Sequence, residues 1–313
     1  MRYLITGVAG FIGSHLLERL LKEGHEVVGL DNLLTGHRSN IEPWLSDFEF
    51  IEGDIRDLDT CHRAAKGADY VLHQAALGSV PRSVEDPILS HTINTTGTLN
   101  VLVAARDAEV SGVGFAASSS YFGDTDVLPK TDDMPPRPLS PYAVTKVTCE
   151  HYMQVFSKVY GLPTVGLRYF NVFGPRQDPN GPYAAVIPKF VDILLDGRAP
   201  TIDGDGGQTR DFTYIDNVVQ ANLQAMKHAE RASGHIMNVA CGGRIDLNTL
   251  YRLITKELGI ERDPVYGPPR VGDVRDSMAD ISTAQRLIDF QPSIELEEGL
   301  TQTVAWFKDK HGA

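Results

Sequence analysis

The first third of the chain alternates short aliphatic and β-branched runs with longer stretches of helical period. Runs at Arg2–Thr6, Glu26–Asp31, Phe48–Ile51, Tyr70–Gln74 and Gly114–Ser118 predict strands, and Phe11–Gly24 predicts a helix between the first two. In that helix Phe11, Ile12, Leu16, Leu17, Leu20 and Leu21 share one face, with Glu18, Arg19, Lys22 and Glu23 between them. Gly24 and His25 stop it. Repeated strand, helix, strand is the pattern of an α/β, doubly wound parallel sheet. After Asn171 the texture changes. Pro175, Pro179, Pro182 and Pro188 lie among Gly and Asn, and Pro264, Pro268 and Pro269 form a second cluster. Both stretches read as loops of a smaller, irregular, substrate-facing part.

Between the first strand and the first helix stands Gly7-Val8-Ala9-Gly10-Phe11-Ile12-Gly13. In this context a glycine turn lets the backbone approach a pyrophosphate at a helix N-terminus. The spacing is GxxGxxG, a variant of the GxGxxG form. Asp31 closes the next strand, where a carboxylate accepts hydrogen bonds from ribose hydroxyls and repels a 2′-phosphate, so NAD is favoured over NADP. Asn32 follows it, and Asp54-Ile55, after a further strand, is placed to bracket an adenine. The expected fold is therefore Rossmann-type, with a smaller α/β domain for the substrate. The expected boundaries are 1–170 plus about 211–240 for the NAD-binding part, and 171–210 plus 241–313 for the substrate part.

Composition narrows the partners. The 313 residues carry 29 Lys+Arg against 41 Asp+Glu, a formal charge of −12, which argues against nucleic acid, since a phosphate backbone is held by surplus basic residues. Cys61, Cys149 and Cys241 are far apart and without CxxC spacing, so neither a disulfide framework nor a metal site is expected, and the cytoplasm fits best. No stretch gives 18 consecutive apolar residues, so no membrane partner is expected.

Tyr142-Ala143-Val144-Thr145-Lys146 sets a phenol and an ammonium at i and i+4, on one face of a helix opening after Ser140-Pro141. Upstream, a strand ends at Ser118-Ser119-Ser120, so hydroxyls and phenol converge at the carboxyl edge of the sheet. A phenol is a poor base at neutral pH, but nearby cations favour its phenolate. Hydrolase and metalloenzyme readings find neither GxSxG nor HExxH.

These motifs, with His73-Gln74-Ala75-Ala76, Arg168-Tyr169-Phe170-Asn171, Gly204–Asp216 and Gly272–Asp280, resemble the extended short-chain dehydrogenase/reductase family over essentially the whole chain. Within it the chain resembles the nucleotide-sugar 4-epimerases. It is most similar to bacterial UDP-N-acetylglucosamine 4-epimerases, through Ala76–Ser83 and Arg176–Gly181. The resemblance implies that Tyr142 takes the proton of the sugar 4-hydroxyl as hydride passes to tightly held NAD, through a transient 4-keto sugar that turns over before hydride returns. It implies that Lys146 holds the nicotinamide ribose, that Ser118 shares the bond to the 4-oxygen with Ser119 beside it, and that Ala75, Ala76 and Tyr169 belong to the cofactor site. Asn171, Arg210 and Arg275 are then diphosphate contacts, Asp273 stands near the uridine ribose, and Ser79 touches the substrate. A homodimer through helices around Thr95–Arg106 and Tyr142–Tyr160 is implied as well.

Relatives that dehydrate sugars carry an Asp-Glu pair where this chain has Ser119 and Ser120, and decarboxylases a Glu at Ser120. UDP-glucuronate epimerases are expected to offer an arginine within Ala185-Val186-Ile187, and none is present. Ser277 falls where relatives restricted to non-acetylated sugars carry Tyr, leaving room for a 2-acetamido group. UDP-GlcNAc/UDP-GalNAc is thus the expected pair, with UDP-glucose/UDP-galactose weaker. The alternatives are a UDP-glucuronate 4-epimerase or decarboxylase of the same family, or a non-catalytic NAD-binding sensor. In one place the chain departs from its relatives: Tyr121-Phe122-Gly123 replaces a small or aliphatic residue followed by Tyr-Gly, which either reshapes the wall near the nicotinamide or marks a packed aromatic position.

Overall fold

The computed structural model describes residues 1–180, 184–269 and 274–312. The first half runs β1 (Arg2–Thr6), α1 (Phe11–Lys22), β2 (Glu26–Asp31), β3 (Glu49–Glu52), α2 (Leu58–Ala65), β4 (Tyr70–His73), α3 (Val80–Glu85), α4 (Pro87–His91), α5 (Gly97–Asp107) and β5 (Gly112–Ser118). Then follow α6 (Pro141–Tyr160), β6 (Thr164–Tyr169), β7 (Val172–Phe173), α7 (Val186–Leu195), β8 (Thr201–Asp203), β9 (Thr209–Arg210), β10 (Thr213–Tyr214) and α8 (Ile215–Lys227). The last part is β11 (His235–Val239), β12 (Ile245–Asp246), α9 (Leu247–Leu258), β13 (Val265–Gly267), α10 (Ser282–Ile288) and α11 (Leu296–His311).

Seven strands form one sheet in the order β11-β6-β5-β4-β1-β2-β3, and every pairing in it is parallel. Both faces are covered, which is why the strands read as continuous apolar runs: on β1, Tyr3 and Ile5 enter one core layer and Leu4 the other. The order reverses beside β1, so the crevice between the carboxyl ends of β1 and β4 is the place for a ligand in such a sheet. Helix α1 ends as its sequence predicts. Gly24 takes φ +78°, its N–H bonds to Leu21 O, and His25 N–H bonds to Leu20 O, closing the last carbonyls.

Of the prolines read as loop, Pro175, Pro179, Pro264, Pro268 and Pro269 lie outside helices and strands as expected, Pro182 lies outside the described residues, and Pro188 does not fit that reading. Pro188 is the third residue of α7, in the first turn, where its missing N–H has no helical partner to lose. Pro264 precedes β13, which pairs in parallel with β8. Two further two-stranded sheets pair β7 with β10 and β12 with β9. The larger core layer is continuous across both parts of the chain, carrying Leu16 and Leu20 of α1 together with Phe190, Leu250 and Phe307.

Candidate active site

The glycine turn builds one end of the crevice. Gly7 adopts φ +72°, and a Cβ there would stand 2.7 Å from the Ala75 backbone nitrogen, so only glycine lets β1 and the segment after β4 close on each other. A Cβ on Gly13 would meet Gly7 O, so α1 can start directly against the turn only without one. Gly10 precedes α1, whose first turn carries no acidic residue, leaving its N-terminus fit for an anion. Asp31 is buried, and its two oxygens accept from Ala9 N–H (2.9 Å) and Leu33 N–H (2.8 Å); burial pushes its carboxyl up from the usual range. Each oxygen keeps a second lone pair for a ribose hydroxyl.

Gly7, Gly10, Asp31, Asn32, Ile55, Ala75 and Ala76 all line one cleft of about 550 Å³. Asp54 does not line it. Its carboxylate is forked by Arg56 and accepts from Asn32 Nδ2, and the Arg56 guanidinium holds it at about 2. Phe11 and Ile12 open α1 and pack against the core instead of lining the cleft. Arg38, the cation nearest in sequence to Asp31, sits over the Phe50 ring and 3.7 Å from Glu52.

The catalytic candidates stand where β5 and α6 meet. Ser140 caps α6 by accepting from Ala143 N–H, and Pro141 starts it, so Tyr142 and Lys146 are fixed one turn apart at its N-terminal end. Lys146 is buried; its Nζ donates to Ala116 O (2.7 Å) and lies 5.8 Å from the centre of the Tyr142 ring. Two residues beyond Ala116, Ser118 Oγ accepts from both the N–H and the hydroxyl of Ser120, which leaves its own proton to donate outward. Beneath them His73 is buried between Thr6 and Thr98; burial, then the charge of Lys146, lowers it to about 3, so it stays neutral.

Sequence reasoning missed Asn94. Buried in a five-residue π-helix, it accepts from Leu77 N–H and donates to Thr145 Oγ1, tying the cofactor wall to α6 between Tyr142 and Lys146. Its sequence neighbours, Thr92, Ile93, Thr95 and Thr96, are mostly polar and gave no signal that Asn94 is buried.

A second cleft, of about 970 Å³, is lined by Asn171, Phe173, Ile187, Lys189, Phe190, Gln208, Arg210 and Phe212 among others. Asn171 takes φ +36° and donates from Nδ2 to Asp211 O, while Arg210 Nη1 reaches Thr209 O. Ser277 is half-buried and joins this edge through its N–H to Thr209 O (3.1 Å). Lys189 was not foreseen either. Two expected substrate residues are not gathered here: Arg275 is exposed and forks onto Asp205, and Ser79 caps α3. Tyr169, expected at the cofactor site, is buried with its hydroxyl engaged by Asn222 and by Gln74, which lines the cofactor cleft. Asp273 lies outside the described residues, as do Gly181 and Gly272.

Tyr121 belongs to the packing. Its hydroxyl donates to Met134 O, and its ring carries the buried Arg168 guanidinium at 3.5 Å, which in turn forks onto Glu150. Phe122 is fully buried against Phe170. Among the described residues no group of three or more His, Cys, Asp or Glu is placed to hold a metal ion.

A dinucleotide cradle at the switch point of a parallel sheet, with a tyrosine and a buried lysine above the neighbouring strand, defines a cofactor-dependent enzyme of the doubly wound α/β class. The comparisons agree with the geometry. The model of the NAD dependent epimerase/dehydratase family matches residues 3–240, and the chain belongs to that family. It is 40% identical over 314 residues to a UDP-glucose 4-epimerase of Mycolicibacterium smegmatis, covering 99% of each chain. Among solved structures it is similar to the UDP-N-acetylglucosamine 4-epimerase of Methanobrevibacter ruminantium in complex with UDP-N-acetylmuramic acid (TM-score 0.94, 40% identity, 99% and 98% of the two chains). It is also similar to the UDP-glucuronic acid 4-epimerase of Bacillus cereus in complex with UDP-glucuronic acid and NAD (TM-score 0.91, 32% identity, 99% and 100%). The protein is an NAD-dependent enzyme, and the glycine cradle with Asp31 fits that cofactor.

Proposed function

We propose that the protein is a UDP-sugar 4-epimerase whose principal pair is UDP-GlcNAc and UDP-GalNAc, with UDP-glucose and UDP-galactose as a weaker pair. The observation that carries the epimerase reading is the Tyr142–Lys146–Ala116 arrangement beside Ser118, with hydroxyls and no carboxylate at Ser119 and Ser120. Elimination or decarboxylation in relatives uses a carboxylate there; here Tyr142 is the group read as moving a proton, at the 4-oxygen.

In this reading Tyr142 takes the proton from the 4-hydroxyl and returns it. The buried ammonium of Lys146 stabilises the phenolate, and Ser118 donates to the 4-oxygen. Bound NAD supplies the hydride acceptor and donor for C4. Gly7, Gly10, Gly13, Asp31 and Asn32 hold it, with Ile55, Ala75 and Ala76 forming the adenine side. Asn171 and Arg210, joined by Lys189, hold the diphosphate, which anchors the substrate while its sugar presents either face. Half-buried Ser277, small and beside Arg210, supports acceptance of the 2-acetamido group.

The segments 1–170 plus about 211–240 are read as the NAD-binding part, and 171–210 plus 241–313 as the UDP-sugar part. The exposed apolar stripe Val144, Val155, Val159 and Tyr160 on α6 supports a homodimer through that helix. Three cysteines without disulfides support the cytoplasm.

Lys189 favours one rival reading, since its ammonium lines the substrate cleft one turn from Val186 and can pair with a sugar carboxylate, as a UDP-glucuronate epimerase requires. Product analysis with the five corresponding UDP-sugars decides between them. Interconversion of the acetylated pair is expected. Turnover of UDP-glucuronate alone overturns the proposal, and no turnover at all despite bound NAD makes the chain a sensor. Tyr142→Phe is expected to keep NAD yet lose about 10³-fold in kcat; near-native turnover removes Tyr142 from the proton-transfer role.

A further inference from the structure

The wall of the cofactor cleft that follows β2 is built of turns. Leu34, Thr35 and Gly36 line the cleft, and the chain from there to β3 runs through single helical turns at Arg38–Asn40 and Glu42–Trp44. A segment of this kind keeps its shape through ties to its neighbours. Two ties reach the glycine turn, where His37 N–H and Asn40 Nδ2 both donate to Ala9 O at 3.0 Å. Two more come from the segment after β7. Asp178, 141 residues from His37, pairs with its Nε2 at 3.3 Å, but both side chains are exposed and such a pair is weak.

Arg176 is the firmer tie. Its guanidinium lies 5.3 Å from the centre of the Trp44 ring, at the far end of the wall, and its Nη2 donates at 2.7 Å to Glu18 of α1, 158 residues away. Only 12% of the side chain is exposed, so water screens the pair less than it does a surface pair. Its backbone takes φ +65°, a conformation that a residue with a side chain keeps only where its surroundings hold it. One side chain thus joins α1, the anion end of the cradle, to the wall made of turns.

We propose that Arg176 is a positioning residue for bound NAD: by clamping Trp44 to Glu18 it holds the wall of Leu34, Thr35 and Gly36 in place and slows release of the cofactor. Arg176 stands outside the cofactor cleft and acts through Trp44 and Glu18. In the epimerase reading NAD ends each turnover as it began, so a clamp against its exchange serves the reaction. The clamp itself requires only that the chain hold NAD, whichever sugar it takes.

Release of radiolabelled NAD from the loaded, full-length protein, chased with excess unlabelled NAD, tests this. Arg176→Met removes the charge and the planar group together; release is expected to quicken at least about tenfold, with the association rate within about twofold of the wild type. Arg176→Lys keeps a cation for Glu18 but not the flat face on Trp44, and Glu18→Gln keeps the stack but not the ion pair; each is expected to quicken release about threefold. Adding Glu18→Gln to Arg176→Met should bring no further increase, because the two side chains act as one unit. A further increase shows that they act separately and overturns the clamp. Unchanged release in Arg176→Met overturns it as well, as does a loss of affinity carried by slower association. Faster release matched by an equal rise in the rate of global unfolding in denaturant means that Arg176 only stabilises the fold, and the proposal fails. Where Arg176→Met does not fold, Arg176→Lys and Glu18→Gln decide: release as slow as in the wild type in both overturns the clamp.

Discussion

Asp31 and Asp211 are both buried carboxylates that accept backbone N–H bonds, one at the cofactor end of the site and one at the substrate end. Asp31 gathers Ala9 and Leu33, 22 and 2 residues away. Asp211 gathers Cys241 and Gly242 at 30 and 31 residues and Ala279 at 68, with no local partner among its bonds. The glycine turn and Asp31 are thus a local structure, a strand, a turn and the next strand, which closes as one unit on the backbone of Gln74 and Ala75. The substrate end is assembled from segments that meet only when the chain is folded. A local, backbone-built cradle is rigid and tolerates no side chain; a site assembled from distant segments depends on each tie and can be retuned one residue at a time.

The sharpest way to break this contrast is at Gly7. Gly7→Ala must hold φ near +72°, which costs a non-glycine residue about 1–2 kcal/mol, and its Cβ meets the backbone of Gln74 and Ala75, which cannot move aside as a side chain could. The turn must therefore open. NAD retention through purification is expected to fall by at least about 100-fold in affinity, corresponding to roughly 2.7 kcal/mol, with a lower Tm. A variant that keeps its cofactor and its Tm shows that the cradle is not the rigid element claimed here.

The same contrast explains how much could be read in advance. Gly7–Gly13, Asp31 and the Tyr142–Lys146 pair were legible because each is a short spacing whose geometry follows from one turn, strand or helix. Five strands of the sheet, β1 to β5, were legible for the same reason, as apolar runs bounded by turns, whereas β6 and β11 were not singled out. Arg275 was not: nothing in the sequence near it announces Asp205, 70 residues away, which takes its guanidinium. The ties that hold Tyr169 beside the cofactor cleft, from Gln74 and Asn222 on two other elements, were equally invisible. Pro188 misled in the opposite direction, since a proline marks a loop by composition yet fits the first turn of α7.

A smaller effect is expected at the retunable end. Ser277→Tyr adds a ring at the edge held by Thr209, beside Arg210, and should lower kcat/KM for UDP-GlcNAc about tenfold more than for UDP-galactose, a difference of about 1.4 kcal/mol. Parallel losses on the two substrates show that the edge is as intolerant as the cradle, and the contrast weakens.

Asp211 offers the finest test, because its burial couples the assembly of the substrate end to pH. Burial pushes its carboxyl up to about 6 despite three backbone donors, so the folded protein binds this proton more tightly than the unfolded chain, whose carboxylates titrate near 4. The stabilisation from protonation is complete below the unfolded pKa and is lost as pH rises through about 6. Between pH 5 and pH 7 this one group should cost the protein about 1 kcal/mol of stability. Asp211→Asn removes that slope while leaving Asp132, also raised to about 6 by burial, as a background common to both proteins. Denaturant unfolding at the two pH values is therefore expected to give a steeper fall for the wild type than for Asp211→Asn. Equal slopes mean that the three N–H donors outweigh desolvation and hold Asp211 ionised throughout, as firmly as any local cap would, and the substrate end is then no more sensitive to its surroundings than the cofactor end.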